Sequence, residues 1–159
     1  MAATQIAGEK NYDIGTGFDI YTGSFSGQAV LLVNFTTPQG APGSCTRTRA
    51  MTGTMTIDLN VGGATGTVRM QSVQNEIAVT GTCLLGATVN ITIPGEPVAG
   101  GPSELTFTHT STAGTVETDV LMFKGSHSGT TITGTIALNI TGSVGVGSFT
   151  MPVTLTRQP

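Results

Sequence analysis

A nine-residue stretch occurs twice in this chain, 81 positions apart and without a gap. Met51-Thr52-Gly53-Thr54-Met55-Thr56-Ile57-Asp58-Leu59 returns as Ile132-Thr133-Gly134-Thr135-Ile136-Ala137-Leu138-Asn139-Ile140. Beyond a short Gly-rich turn, Gly66-Thr67-Val68-Arg69-Met70 returns as Gly147-Ser148-Phe149-Thr150-Met151. Both copies alternate apolar with polar residues. A period of two sends successive side chains to opposite faces, which marks a half-buried β-strand and not a helix.

Composition agrees with sheet. Charged residues make up 9 % of the chain, against about a quarter in ordinary globular domains. Thr takes their place with 30 of the 159 residues, and a β-branched hydroxyl side chain suits the solvent face of a strand. A chain of this length fits one domain with a real core. A net charge of −3 with six basic residues gives no electrostatic footprint for nucleic acid. No run of apolar residues is long enough for a transmembrane helix. Met1-Ala2-Ala3-Thr4 lacks the charged and apolar regions of a signal peptide. Two readings follow: the chain is made without one, or Met1 was added to a mature secreted form.

Residues 1–10 read as a disordered tail and 11–159 as a single all-β domain. Tyr12, Ile14, Phe18 and Ile20 share one face of an alternating segment. That segment is either a first strand or an arm that pairs with another subunit. Phe25 to Thr36 is apolar on both faces, with Val30 and Leu32 on the outward parity, and Pro38 to Ser44 is a loop. The hairpin repeats span 45–83 and 126–157. Folding the first about Gly62-Gly63-Ala64-Thr65 sets Asp58 opposite Arg69. Further along, the apolar parity slips from Val68 and Met70 to Ile77 and Val79, which one bulge near Ser72–Asn75 absorbs. The same bulge brings Cys45 opposite Cys83. A Cys45–Cys83 disulfide is therefore expected, with a chain-entropy contribution of about 4 kcal/mol.

A strand from Ala87 to Ile93, a long loop from Pro94 to Ser103 and a hairpin turning at Ser111–Gly114 precede the second repeat copy. Pro152, on the outward parity of the last strand, signals an edge or a bulge. The fold expected is an antiparallel meander of eight to ten strands, a β-barrel or a two-sheet β-sandwich, with approximate internal two-fold symmetry.

Few residues offer chemistry. Gly53, Gly66, Gly81, Gly134 and Gly147 fall on the apolar parity, where they serve either bending or room for a ligand. Met51, Met55, Met70, Met122 and Met151 share that face as core or as pocket lining. Arg47 and Arg49 share it too, opposite Gly81 and Val79 in the register above. They either emerge into solvent or line a pocket mouth able to hold a carboxylate or phosphate. His109 reads as a structural histidine. His127, between two serines in a turn, lacks a nucleophile–base–orienter chain. Glu117 and Asp119 share a face opposite Thr108 and Thr106; they read as solvated, with acid–base or calcium chemistry as the sharper alternative. The histidines and cysteines match no zinc site, and no phosphate or dinucleotide loop occurs, so neither a metal nor a cofactor is expected. Three Asn-X-Thr sites, at Asn34, Asn90 and Asn139, match the glycosylation pattern, but a chain this rich in Thr gives one or two such matches by chance, so they carry little weight.

Three functions stay open. The first is a non-enzymatic structural or assembly subunit of an appendage, fibre, coat or virion, outside the cell, in the periplasm or on a particle surface. It would self-associate through strand edges or the arm of Tyr12, Ile14, Phe18 and Ile20, and Val30, Leu32, Leu121 and Phe123 fall on outward parities as apolar contacts. The second is a lipocalin-like barrel carrying a small apolar ligand, its pocket lined by Arg47, Arg49 and the methionines. The third is a small barrel enzyme acting on an apolar substrate.

Overall fold

The computed structural model describes residues 17–60, 65–83, 88–101 and 103–159. The expected tail, and Tyr12 and Ile14 of the expected arm, lie outside them. Eight strands follow in chain order: β1 (Phe18–Thr36), β2 (Pro42–Asn60), β3 (Gly66–Thr80), β4 (Val89–Gly101), β5 (Glu104–Ala113), β6 (Glu117–Ser128), β7 (Thr131–Gly142) and β8 (Gly147–Arg157). Each pairs antiparallel with the next and β1 pairs with β8, closing a meander barrel. Of the two architectures the sequence allows, the barrel forms.

Alternation makes the barrel. Inward residues such as Leu31, Met51, Met55, Ile57, Leu138, Phe149 and Leu155 are buried and belong to one apolar cluster. Their outward neighbours are mostly Thr and Ser. An eight-stranded barrel is about wide enough for its own side chains to fill. At Gly53, where a ligand would need room, a Cβ would stand 2.4 Å from the Phe25 ring and 2.6 Å from the Gln71 carbonyl oxygen. The glycine makes way for an aromatic ring and a neighbouring strand.

The repeat is real at the level of register. Leu59 faces Gly66 in the first hairpin and Ile140 faces Gly147 in the second, the same step 81 residues on. Yet β2 and β7 stand five strands apart in an alternating meander, so they run in opposite directions while the order around the barrel is unchanged. No rotation does both. The repeat is one of hairpin geometry, not of two-fold symmetry.

Several local expectations are corrected. The β2–β3 register places Asp58 opposite Thr67 and Arg69 opposite Thr56; the Arg69 guanidinium reaches the Asp58 carboxylate diagonally, at 2.8 Å. The register shift lies between Thr48 and Arg49, with Ile77 as the extra residue. Ile77 is consequently 52 % exposed, while Ser72, Gln74 and the Glu76 side chain keep the inward parity of Val68 and Met70. Arg47 faces Val79, and Arg49 faces Glu76 instead of Val79. The ladder ends at Thr46–Thr80. Gly81, with φ of 79°, is an exposed turn residue and not part of the core face; it brings Cys83 back to Cys45. The disulfide forms as expected, with a Cα–Cα separation of 5.9 Å.

The segment from Pro94 to Gly101 is strand, not loop. The β5–β6 turn falls after Ala113, later than expected, and this reverses the facing of β6. Glu117 lies opposite Ala113 and Asp119 opposite Ser111. Glu117, Asp119, Leu121 and Phe123 all point inward and are buried, whereas Met122 points out. Leu121 and Phe123 are thus core and Met122 is surface, the opposite of the sequence reading. Val30 and Leu32, and Phe18 and Ile20 at the start of β1, are exposed outward residues.

Candidate functional site

One end of the barrel, where β2 and β6 begin, buries a polar network where the rest of the interior is apolar. Its charged members come from both sides of the lumen. Arg49 on β2 reaches across to Glu117 on β6 with a bidentate pair, Nη1 to Oε1 and Nη2 to Oε2, the latter at 2.9 Å. Arg49 Nη1 also donates to Gln74 Oε1 at 3.3 Å, and Nη2 stands 3.7 Å from Glu76 Oε1. Arg47 Nη1 donates to both oxygens of Glu76, at 3.1 and 2.9 Å. Gln74 Nε2 in turn donates to Asp119 Oδ2 at 3.0 Å, so β3 and β6 are also tied across the barrel. Ser72 Oγ closes the set by donating to the Ile91 carbonyl at 3.2 Å.

The strand pattern puts these side chains inside, and the counter-charges keep them there. A buried unpaired charge is prohibitively costly, so Arg49, 2 % exposed, requires Glu117, and Glu117 requires Arg49. Burial alone lowers the Arg49 guanidinium. The Glu117 hydrogen bond and the charges of Glu117, Glu76 and Asp119 outweigh it and hold its pKa above the ordinary value. Burial pushes Glu117 upward, but the hydrogen bonds from Arg49 and Asp119 leave it below the usual carboxylate range.

Asp119 goes the other way. Burial first, then its hydrogen bond with Glu117 and the Glu117 charge, raise it from 3.8 to about 7, against the opposing pull of Gln74 and Arg49. The geometry explains the proton. Oδ2 accepts from Gln74, while Oδ1 finds no hydrogen-bond donor among the described residues. A protonated Asp119 carboxyl gains a donor, and the acceptor it interacts with is the Glu117 carboxylate. When Asp119 carries that proton, the guanidiniums of Arg47 and Arg49 face the carboxylates of Glu76 and Glu117 in equal number.

The remaining titratable candidates lie elsewhere. His109 on β5 meets Glu96 on β4 through Nδ1 and Oε1. At the opposite end of the barrel, His127 Nε2 lies 2.6 Å from the Tyr21 hydroxyl, which also lies 3.1 Å from the Gly129 carbonyl. Burial, then the Asp19 charge, raises the Tyr21 hydroxyl above its ordinary pKa.

The pocket lining expected from the sequence is thus divided. Arg49, Met51, Met55, Met70 and Met151 do converge inside, but as packed core and a satisfied ion pair. Arg47 is half-buried at the barrel end, and Met122 is outside. The bidentate face of Arg49 that a substrate carboxylate or phosphate would use is already taken by Glu117. Glu117 and Asp119, expected on a solvated face, are the acidic half of the network. Gln74, Glu76 and Ser72 went unrecognised. The signal for them was Arg47 and Arg49 on an inward parity, which demands acidic partners on facing strands. No group of His, Cys, Asp and Glu among the described residues is arranged to hold a metal ion.

Compared with protein-family models, curated proteins and solved structures, the chain matches none.

Proposed function

We propose that this chain is a non-enzymatic structural subunit that self-associates through its outer wall and strand edges, at a cell or particle surface or in another extracytoplasmic setting. The observation that carries the reading is an apolar patch on an otherwise hydroxyl-rich wall. Val30, Leu32 and Val146 are 58, 48 and 59 % exposed. Leu32 and Val146 exchange backbone hydrogen bonds at 3.0 and 2.9 Å, which sets the two residues side by side, and Val30 follows on the same face of β1. Neighbouring apolar side chains left in water mark an interaction surface.

Three further features support it. Inside the barrel Arg49 is committed to Glu117. The Cys45–Cys83 disulfide suits an oxidising compartment. Apart from that patch and scattered apolar and charged residues, the outward residues are mostly Thr, Ser, Asn and Gln, where a membrane-spanning barrel has an apolar outer band. The apolar-carrier reading gains no comparable support, since ring and strand fill the room that Gly53 leaves.

Sedimentation analysis of the full chain tests this. A concentration-dependent mass above the 16.1 kDa monomer is expected, with a shift to monomer for the double variant Leu32→Thr, Val146→Thr. A chain that stays monomeric at every concentration contradicts the reading.

A further inference from the structure

The barrel has two junctions where the ladder is incomplete, and they differ. Between β1 and β8, pairs at Tyr21–Arg157 and Thr22–Thr156 hold one end and Leu32–Val146 holds the other. In between, a Cβ on Gly23 would stand 2.2 Å from the Thr154 oxygen, so the strands stay in contact. Between β4 and β5 only three pairs form, Ala99–Thr106, Gly100–Leu105 and Gly101–Glu104, all at one end. Beyond them β4 keeps its ladder to β3 as far as Val89, and β5 keeps its ladder to β6 as far as Ala113. Among the described residues no ladder pair joins β4 to β5 there.

The cause is in β4. Pro94 and Pro97 have no N–H to donate, and the β3–β4 register shifts between Ile93 and Glu96. Among the described residues the side chains of His109 and Glu96 meet across the seam, a contact that an inserted strand replaces. Two strand edges therefore face each other across a junction that their own ladders do not close, and an unpaired edge is a template for another strand.

We propose that this seam accepts an extended strand from a second copy of the chain, and that the strand is the segment around Tyr12 and Ile14. This rests on the self-association reading and names its acceptor and donor. Tyr12 and Ile14 lie five and three residues before Gly17, a reach of roughly 10–17 Å when extended, so the barrel that donates the strand stands close beside the seam it enters. Tyr12 and Ile14 alternate with Asp13 and Gly15, the pattern of a strand with one apolar face. β1 starts at the end of the barrel where β4 and β5 are already paired, and half the barrel separates it from the seam. A neighbouring copy can enter the open end without that detour. Backbone hydrogen bonds to both edges supply the attachment, and the side chains between Ile91 and Ile93 on one side and His109 and Ser111 on the other select the strand.

Cross-linking of mixed variants tests the assignment. Full-length Ile14→Cys is mixed with full-length Thr110→Cys, and separately with Thr135→Cys on the outer wall of β7, with a short bismaleimide and the native disulfide intact. Light scattering is recorded on the same mixtures. The expected result is a species of doubled mass joining Ile14→Cys to Thr110→Cys, lost when Thr135→Cys replaces it. Association by light scattering without that link, or with equal linkage to Thr135→Cys, overturns the seam assignment and leaves self-association standing. Linkage of Ile14 to Thr110 only within one doubly substituted chain overturns the second-copy donor. A monomer in all mixtures overturns both proposals.

Discussion

The β2–β3 and β7–β8 hairpins have the same register and bury different things. Ser72, Gln74 and Glu76 stand in the first where Val153, Leu155 and Arg157 stand in the second. Gln74 and Leu155 are equally inaccessible. A given barrel position thus accepts either chemistry, provided the partners exist. Leu155 needs only apolar neighbours. Gln74 needs Arg49 and Asp119, and they in turn need Glu117. β2 supplies the arginines because it extends back beyond the repeated segment to Pro42; β7 begins at Thr131 and cannot. The hairpin geometry is shared, and the specialisation sits in the extension of one copy.

Breaking the network should cost most. Arg49→Met strands Glu117 without its counter-charge, and a loss of about 3–5 kcal/mol in unfolding free energy is expected from denaturant titration. At the corresponding site of the second hairpin, the exposed Thr130→Met should change stability by no more than about 0.5 kcal/mol. Comparable losses at the two sites would mean that Arg49 is not committed to Glu117.

Features common to both hairpins should respond alike. A Cβ at Gly134 would stand 2.5 Å from the Lys124 oxygen, much as one at Gly53 meets Phe25 and Gln71. Gly53→Ala and Gly134→Ala should each lose about 1–3 kcal/mol by thermal or chemical unfolding. A large inequality would show that the shared register hides different packing.

The Asp119 proton on β6, held against Gln74 of the first hairpin, gives the buried network a pH dependence that the apolar interior of the second hairpin lacks. Between 3.8 and about 7 the folded chain keeps a proton that the unfolded chain has released. Stability from this group therefore falls as pH rises through that window, by up to about 1.4 kcal/mol per unit. Glu117, depressed, acts in the opposite sense and only at lower pH. In Asp119→Asn the amide donates to Glu117 and accepts from Gln74 permanently. The difference in stability between this variant and the parent should therefore grow from pH 5 to 7 in favour of Asn. The charged groups that act on Asp119, which are Arg49 on β2 and Glu117 on β6, are present in both proteins and largely cancel. A pH-independent difference would refute the protonated state.

The smallest effect belongs to the outer wall. The Asp58–Arg69 pair has side chains 26 and 49 % exposed and is replaced by Asn139 and Thr150 in the second hairpin. Asp58→Asn should cost less than about 1 kcal/mol. A larger loss would mean that the diagonal pair, and not the ladder, fixes the register.

Alternation made the strands, the antiparallel hairpins and the all-β class legible, and the two cysteines at a hairpin base made the disulfide legible. What escaped was decided over long distances. Whether Glu117 and Asp119 face water or lumen depends on an arginine 68 residues earlier in the chain. Local reasoning sends carboxylates to solvent, and doing so inverts all of β6, taking Leu121 and Phe123 out of the core and Met122 into it. The bulge was recognisable as necessary but not as Ile77, because an apolar side chain on the wrong parity looks like core until Gln74 and Glu76 find partners. Pro94, Gly95 and Pro97 read as loop because prolines are foreign to a paired strand. They sit in one here because its far edge is unpaired.

The account holds the interior to be closed and charge-balanced, with the working surfaces outside. A carboxyl-carbon NMR titration of Asp119 tests that claim most directly. The expected midpoint is about 7, with no transition in the ordinary aspartate range. A midpoint near about 4 would contradict it. Asp119 would then be fully ionised at neutral pH, a buried charge beyond those that Arg47 and Arg49 balance.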